Sequence, residues 1–280
     1  MTAFYNNVKT AFLLAALFGL LVWVGSYWGA GGMLFAGAFA IIVNFGAWYA
    51  SDKIAIAAMR GQEVDERSAP ELYRLVARLA ERAGLPMPRV YVCPQEAPNA
   101  FATGRNPRHA AVAVTQGALR LLEHDELEGV VAHELAHVKN RDTLTSTVAA
   151  TIAGLFSMLA QFAFFFGGRG GRGGNPLAMI GVILLGAIGA ALIKAMISRS
   201  REFVADADGA KIAGSPRGLA SALQRLESCA KRIPLKNPNP AMNNLFIVEP
   251  FVGETLTSLF ASHPPTAARI EALLGPAGGR

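Results

Sequence analysis

No charged residue occurs between Lys9 and Asp52, a gap of 42 residues. As one continuous helix this stretch would be about 63 Å long, roughly twice the 30 Å thickness of a hydrocarbon core. Small residues interrupt the stretch near its middle, at Gly25, Ser26, Gly29, Gly31 and Gly32. The sequence therefore predicts two membrane-spanning helices, at about residues 11–28 and 33–50. Their length and their direct succession favour membrane anchors over a cleaved signal peptide.

Two later windows, residues 143–168 and 173–193, are also free of charged residues. Each is long enough to cross a membrane once, although a re-entrant hairpin would fit the second pair equally well. The flexible sequence GGRGGRGGN joins them. We therefore predict a mostly α membrane protein with four transmembrane helices.

The predicted domain organisation follows from these windows. An N-terminal transmembrane hairpin covers residues 1–51, and a second hairpin covers residues 143–193. The second hairpin is inserted into one cytoplasmic domain, which is formed by residues 52–142 and 194–280. Its pattern is α+β with a small β-sheet, since Arg89–Cys93, Ala110–Thr115 and residues 99–103 are typical of short strands in a meander.

Helices are predicted on either side of these strands. One is expected to be capped by Ser68, to have Pro70 in its first turn and to end at Gly84. The others are expected at about residues 125–142, 198–213, from 216 onward, and at 266–274. Residues 233–262 are rich in Pro and Asn and are predicted to be irregular.

Positive charge indicates how the four spans are oriented. Eight basic residues close to the predicted spans fall on one side of the membrane: Lys9, Lys53, Arg60, Lys139, Arg141, Lys194, Arg199 and Arg201. Only Arg169 and Arg172 fall on the other side, so the first side is predicted to be cytoplasmic. Cys93 and Cys229 fit this reducing compartment as buried free thiols.

The net charge of +6 suits contact with an anionic lipid bilayer. A nucleic-acid partner is not expected, because the sequence has no basic helix face and no RNA-binding aromatic motif.

The strongest chemical signal is the sequence HELAH at residues 133–137. On a helix, His133 and His137 lie one turn apart on the same face, where two imidazoles can bind a single Zn²⁺. Glu134 lies beside the first histidine, where its carboxylate can take a proton from water that the metal polarises. Apolar flanks such as Val130 and Val138 favour a buried helix over a chance match.

A catalytic zinc needs a third protein ligand and one open position. Glu202 is the leading candidate, because the second hairpin returns the chain to the side of the membrane that it left after the motif. His263 is the alternative ligand. Asp206, one turn after Glu202, is predicted to accept the free N–H of a ligand histidine. The other interpretation of both acids is a solvated helix face balanced by Arg199 and Arg201.

Four motifs together resemble the HtpX family of bacterial membrane-bound zinc metalloproteases, which are related to the CAAX prenyl proteases. They are NAFATG at residues 99–104, HELAHVKNRD at 133–142, SREFVADADGA at 200–210 and SHPPTAARI at 262–270. The likeness runs in order along almost the whole chain, including the four apolar windows.

The resemblance implies a gluzincin-like protease domain that holds one Zn²⁺ per chain through His133, His137 and Glu202. It also implies that Glu134 is the catalytic base and that Asp206 supports a ligand. The segment beside the cleft is implied to bind substrate as an edge strand, formed by Asn99, Ala100, Phe101, Ala102 and Thr103. An edge strand can pair with an extended peptide through its free backbone groups.

His263 and Arg269 match the HPP…R segment of the family. The match implies that His263 donates to the oxyanion of the reaction and that Arg269 holds a nearby carboxylate. A packing role for His263 at the Pro264–Pro265 turn remains open. This chain reads ASHPP where many relatives read STHPP, which leaves His263 in register.

The expected function is a zinc endopeptidase in the bacterial inner membrane, with its active site facing the cytoplasm. The resemblance implies a role in stress response, with misfolded or damaged membrane proteins as polypeptide substrates. One alternative is a CAAX-type protease that cleaves prenylated C-termini. The other is a non-catalytic membrane scaffold with structural zinc, which would need four protein ligands.

Overall fold

The computed structural model describes residues 2–26, 29–145, 199–230 and 263–275, and this part is mostly helical with one small mixed sheet. Its elements in chain order are helices α1 (Thr2–Ser26), α2 (Gly29–Tyr49) and α3 (Ser51–Ala58), strand β1 (Gln62–Val64), helix α4 (Pro70–Ala83), strands β2 (Arg89–Cys93), β3 (Ala100–Gly104) and β4 (Ala110–Thr115), and helices α5 (Gln116–Leu121), α6 (His124–Asn140), α7 (Arg199–Ala213), α8 (Arg217–Ala230) and α9 (Thr266–Leu274). The later pair of predicted membrane spans and the predicted irregular segment lie outside the described residues, apart from the first three residues of the third span.

Helices α1 and α2 form the apolar hairpin that the long uncharged stretch predicts. Each contains an 18-residue window that is long and apolar enough to cross a membrane, Asn6–Trp23 and Gly29–Gly46. Only 22% and 6% of these windows are buried within the protein. Such large apolar surfaces suit contact with lipid. The helices approach closely at Gly25, where a Cβ would lie 2.6 Å from the carbonyl oxygen of Gly32.

The four strands are ordered β1-β2-β4-β3. β2 and β4 are parallel neighbours, whereas β1 and β3 pair antiparallel on either side of them. The predicted meander is therefore wrong, and the short strand β1 was not predicted. β4 is buried along its whole length and occupies the interior of the sheet, while β3 takes the outer edge.

The sheet separates two apolar clusters, as the alternation of side chains along a strand requires. On one face, Val90, Val112 and Val114 join apolar side chains of α4, α6 and α8 in the main core. On the other face, Tyr91 and Phe101 pack with side chains of α3. Helix α6 thus lies in the core, between the sheet and the later helices.

Outside the apolar hairpin, the predicted helix boundaries agree with the observed ones to within about two residues, as expected for helix ends. Within the hairpin, α1 begins at Thr2 and α2 at Gly29, well before the predicted starts at residues 11 and 33. The predicted cap of α4 is wrong: Ala69 occupies the N-cap position, and Ser68 instead bonds through Oγ to Asp65 at 2.7 Å. The predicted end is confirmed, because Gly84 follows the helix with the left-handed φ of 67°.

Candidate metal centre

Helix α6 is fixed at both ends. At its start, Glu123 and Glu126 form a capping box in which each side chain accepts a hydrogen bond from the other residue's backbone N–H. At its end, Arg141 adopts a left-handed conformation with φ of 58° and reverses the chain. His133 and Glu134 lie between these ends and are buried, with exposed fractions of 1% and 6%.

Helix α7 brings Glu202 to the motif because it crosses α6 at a glycine. A Cβ at Gly209 would lie 2.8 Å from the Cα of His133 and 2.9 Å from its backbone nitrogen. Two α-helices approach this closely only where one of them lacks a side chain. Gly209 therefore sets the distance between the helix of the two histidines and the helix of Glu202.

Three candidate ligand side chains converge between these helices. The Nε2 atoms of His133 and His137 are 3.2 Å apart. Oε1 of Glu202 lies 3.5 Å from Nε2 of His137, and Oε2 lies 3.7 Å from Nε2 of His133. Around a tetrahedral zinc with bonds of about 2.0–2.1 Å, neighbouring ligand atoms are about 3.4 Å apart. The two imidazoles and the carboxylate therefore fit a zinc ion.

The electrostatics of the same residues favour a cation. Burial alone would lower the pKa of His137, but the carboxylates of Glu202 and Asp142 outweigh it and raise this pKa to about 9. Burial alone would raise the pKa of Glu202, but His263 and His137 outweigh it and hold this pKa well below its ordinary value. Glu202 is thus anionic at neutral pH and offers the charge that a metal ligand needs.

Each histidine has an acid at its other ring nitrogen. Nδ1 of His133 lies 2.9 Å from Oδ1 of Asp206, and Nδ1 of His137 lies 3.0 Å from Oδ2 of Asp142. A carboxylate at Nδ1 holds the proton there and leaves the Nε2 lone pair for a metal. The sequence predicted this role for Asp206, whereas the same role of Asp142, which follows His137 by five residues, was not predicted.

Glu134 lies next to this group and contacts the edge strand. Its Oε2 accepts a hydrogen bond of 2.8 Å from the backbone N–H of Ala102 in β3. Burial is the main reason that its pKa is raised above the ordinary value. A buried carboxylate with a raised pKa binds a proton more readily, as a general base must.

The HPP…R segment contacts the candidate metal centre from the side of α9. Nδ1 of His263 lies 2.9 Å from Oε2 of Glu202, and its Nε2 is buried without a hydrogen-bond partner among the described residues. His263 does not belong to the group of three converging ligands, although it was the alternative ligand. Arg269 donates two hydrogen bonds to Asp206, at 2.9 and 2.7 Å.

The predicted substrate strand lies at one edge of the sheet, beside α6. Its residues from Ala100 to Gly104 are all buried, and the side chain of Phe101 packs into the cluster under α3. Only its backbone groups on the outer edge are therefore placed to pair with another chain. The backbone N–H of Ala102, which contacts Glu134, is one of them.

Peptidase family M48 matches residues 66–277 of the chain. A protein named Protease HtpX homolog from a Nostoc species is 53% identical over 279 residues, which cover 96% of each chain. Proteins of the same name from Burkholderia cenocepacia and Pyrococcus furiosus are 51% and 50% identical. The match to the Burkholderia protein covers 96% of both chains. The match to the Pyrococcus protein covers 95% of this chain and 94% of the relative.

The crystal structure of Ste24p from S. mikatae has a similar fold, with a TM-score of 0.53 and 20% sequence identity. The match covers 97% of this chain and 66% of the Ste24p chain. At this identity the similarity concerns the fold.

Proposed function

The chain belongs to peptidase family M48 and is a membrane metallopeptidase, and we propose that it is a zinc endopeptidase that uses His133, His137 and Glu202 as metal ligands. One observation carries this proposal. Three candidate ligand side chains converge, with polar atoms 3.2 to 3.7 Å apart, and Glu134 is a buried carboxylate beside them that is not one of the three. Three ligands and a nearby base are what a catalytic zinc site requires.

The chemistry divides between the cation and the side chains. When bound, Zn²⁺ supplies a Lewis acid that polarises the scissile carbonyl group and makes water more acidic. Glu134 takes a proton from the attacking water and later gives it to the leaving amine. Its Oε2 accepts a hydrogen bond of 2.8 Å from the N–H of Ala102, which leaves Oε1 to exchange this proton.

The side chains around α9 stabilise the site. Arg269 holds Asp206, and Asp206 keeps His133 in the tautomer that presents Nε2 to the metal. His263 is placed beside Glu202 and donates through its remaining ring nitrogen to the oxyanion that develops on the substrate.

The substrate is an extended polypeptide that pairs with the outer edge of β3. Membrane proteins are the favoured substrates, because the protease domain follows directly from an apolar hairpin. We place the protein in the bacterial inner membrane, with its active site in the cytoplasm and a role in removing damaged membrane proteins. The similarity to Ste24p concerns the fold and gives no reason to prefer prenylated substrates.

The test compares the wild-type protein with Glu134→Gln in detergent, each loaded with zinc. We expect the variant to keep its zinc and to lose casein cleavage, because glutamine has the same shape and accepts no proton. Glu128→Gln, on the same helix but paired with Arg78 and Arg82, is the matched control and should retain cleavage. A wild-type protein that binds zinc tightly and cleaves nothing would favour the alternative of a non-catalytic scaffold with structural zinc. Cleavage by Glu134→Gln at the wild-type rate would refute the assignment of Glu134 as the base.

A further inference from the structure

Helix α1 has one face that is buried against the rest of the protein. Four of its buried residues recur at spacings of four, three and four, and so share one helix face: Asn6, Thr10, Leu13 and Leu17. Leu13 and Leu17 pack against Leu144. The hydroxyl groups of Thr10 and Thr145 lie 2.8 Å apart. This face therefore contacts the segment that directly follows the motif helix α6.

Asn6 lies at the end of this face that is nearest to the candidate metal centre, and it is 1% exposed. Its Nδ2 donates to the carbonyl oxygen of Asn140 at 3.0 Å and also to Oδ1 of Asp142. Asn140 is the last residue of α6, where carbonyl groups lack partners within the helix. Because both neighbours are acceptors, only one orientation of the amide fits.

The other polar atom of the Asn6 amide is in a different environment. Its Oδ1 is buried and has no hydrogen-bond partner among the described residues. A buried polar atom without a partner is destabilising and is uncommon in folded proteins. The contacts of Nδ2 with the end of α6 are the observed compensation for burying this side chain.

The two oxygens of Asp142 have separate partners. Oδ2 lies 3.0 Å from Nδ1 of His137, whereas Oδ1 accepts from Asn6 and lies 3.5 Å from Nη1 of Arg201. The left-handed turn at Arg141 directs the chain back so that Asp142 reaches the histidine. The carboxylate cannot turn about its axis without exchanging these partners, so a donor at Oδ1 fixes the oxygen at His137.

We propose that Asn6, in the first membrane helix, is a positioning residue for the metal centre. It holds Asp142, which holds His137 in the orientation that presents Nε2 to the cation. This inference rests on the proposed metal ligands. The affinity of the protease domain for its metal therefore depends on how α1 packs against the end of α6.

The test uses the full chain in detergent, stripped of metal and titrated with Zn²⁺ against a chromophoric chelator. Asn6→Leu removes the amide and keeps the same branched arrangement of heavy atoms. Asn44→Leu is the matched control, since Asn44 is an asparagine of the same hairpin whose Nδ2 bonds to the carbonyl oxygen of Leu14. Asp142→Ala and the double variant complete a mutant cycle. The visible spectrum of the Co²⁺-loaded proteins reports the ligand geometry independently of activity.

We expect Asp142→Ala to weaken Zn²⁺ binding by about 10- to 100-fold, as loss of a partner of a ligand histidine commonly does. Asn6→Leu should weaken it by about tenfold and alter the Co²⁺ spectrum, while Asn44→Leu should do neither. In the Asp142→Ala background, Asn6→Leu should have no further effect. Asn6→Ala provides a second measurement if the leucine variant does not fold.

Two outcomes would overturn the inference: affinity in Asn6→Leu equal to that in Asn44→Leu, or an undiminished effect of Asn6→Leu when Asp142 is absent. These outcomes differ from a failure of the proposed function. If the wild-type protein binds no Zn²⁺, the ligand assignment itself fails. If it binds Zn²⁺ and cleaves protein while the mutant cycle shows no coupling, only the role of Asn6 is lost.

Discussion

Arg269 and Asp206 are joined by two hydrogen bonds although they lie 63 residues apart in the sequence. Both side chains are almost completely buried, with 1% of each residue exposed. Asp206 also lies 2.9 Å from Nδ1 of His133. The guanidinium of α9 therefore fixes the acid that orients a candidate metal ligand, and it neutralises the charge of that acid inside the protein.

Arg269→Lys should weaken zinc binding by about 10- to 100-fold, although it preserves the positive charge. A lysine ammonium is a point charge and cannot donate the two parallel hydrogen bonds that the guanidinium makes to Asp206. The measurement is a competition titration with a chelator. Arg217→Lys, at an exposed position of α8, is the control and should bind zinc like the wild type. Equal affinity in both variants would show that the bidentate contact does not matter.

Gly209→Ala should separate α6 from α7 and displace Glu202 from the two histidines. The new methyl group would lie 2.8 Å from the Cα of His133, and backbone atoms cannot yield as a flexible side chain does. Overpacking of this kind costs about 1–3 kcal/mol of stability. We expect a lower thermal unfolding midpoint together with weaker zinc binding.

The control for this substitution adds bulk to the same helix away from α6. Ala207 is exposed, so Ala207→Val should change the unfolding midpoint and the zinc affinity little. If Gly209→Ala behaved like Ala207→Val, the close approach of the two helices would not be what positions Glu202.

Glu126 gives a pH-dependent contribution to stability. Burial alone would raise its pKa, but hydrogen bonds from Ser221, the N–H of Glu123 and Arg225 outweigh it and hold the pKa below the ordinary value of 4.5. A carboxyl group whose pKa is lowered by folding stabilises the folded state above its ordinary pKa, and this contribution is lost as the pH falls through the lowered value.

Glu126→Gln should therefore be less stable than the wild type at neutral pH, and the difference should shrink as the pH falls below 4.5. Thermal unfolding of the metal-free proteins over a series of pH values measures it. Glu81→Gln, at an exposed position of α4, should show no comparable trend. A difference that stays constant from pH 7 to pH 3 would contradict the assigned role of the charge.

The sequence predicted the helices around the site because helix faces and helix ends depend on residues that are close together in the chain. His133 and His137 must share a face of any helix that contains both, and Gly84 ends its helix for reasons of backbone conformation alone. The strand pairing failed because it is not local. Short apolar runs identify β2 and β4 as strands. The burial of both their faces, which places β4 between β2 and β3, depends on helices elsewhere in the chain.

Two residues of the site that were not predicted, Asn6 and Gly209, have the same explanation. Asn6 reaches Asp142 across 136 residues, and nothing in the sequence around either one indicates the other. Gly209 acts through the absence of a side chain at a helix crossing, which becomes visible only when both backbones are placed. Asp142 was within reach of sequence reasoning, since an acid that follows a metal-binding histidine is a candidate to orient it.

The two cysteines should react very differently with iodoacetamide. Burial raises the pKa of the Cys93 thiol to about 11, so at pH 8 almost none of it is the reactive thiolate. The expectation that both thiols are buried is wrong for Cys229, which is partly exposed. Peptide mass spectrometry should find Cys229 alkylated in the folded protein and Cys93 alkylated only after denaturation. Equal labelling in the folded protein would contradict the burial of Cys93.

The outer edge of β3 offers a test of how the substrate binds. Asn99 accepts a hydrogen bond from Thr115 on the β4 side, and Ala102 donates outward to Glu134. Because bonding alternates along an antiparallel pair, the N–H of Ala100 should also point outward, away from β4. Proline at an outward position of an edge strand keeps the sheet intact and removes that one donor.

Ala100→Pro should therefore raise KM for protein substrates by about two- to tenfold, the equivalent of one hydrogen bond of 0.5–1.5 kcal/mol. Zinc affinity should be unchanged, since Ala100 is not one of the candidate ligands, and this measurement serves as the control for correct folding. The comparison variant is Ala111→Pro in β4, an interior strand, where loss of a sheet hydrogen bond should lower the unfolding midpoint instead. If Ala100→Pro binds zinc normally and its KM equals that of the wild type, substrates do not pair with this edge.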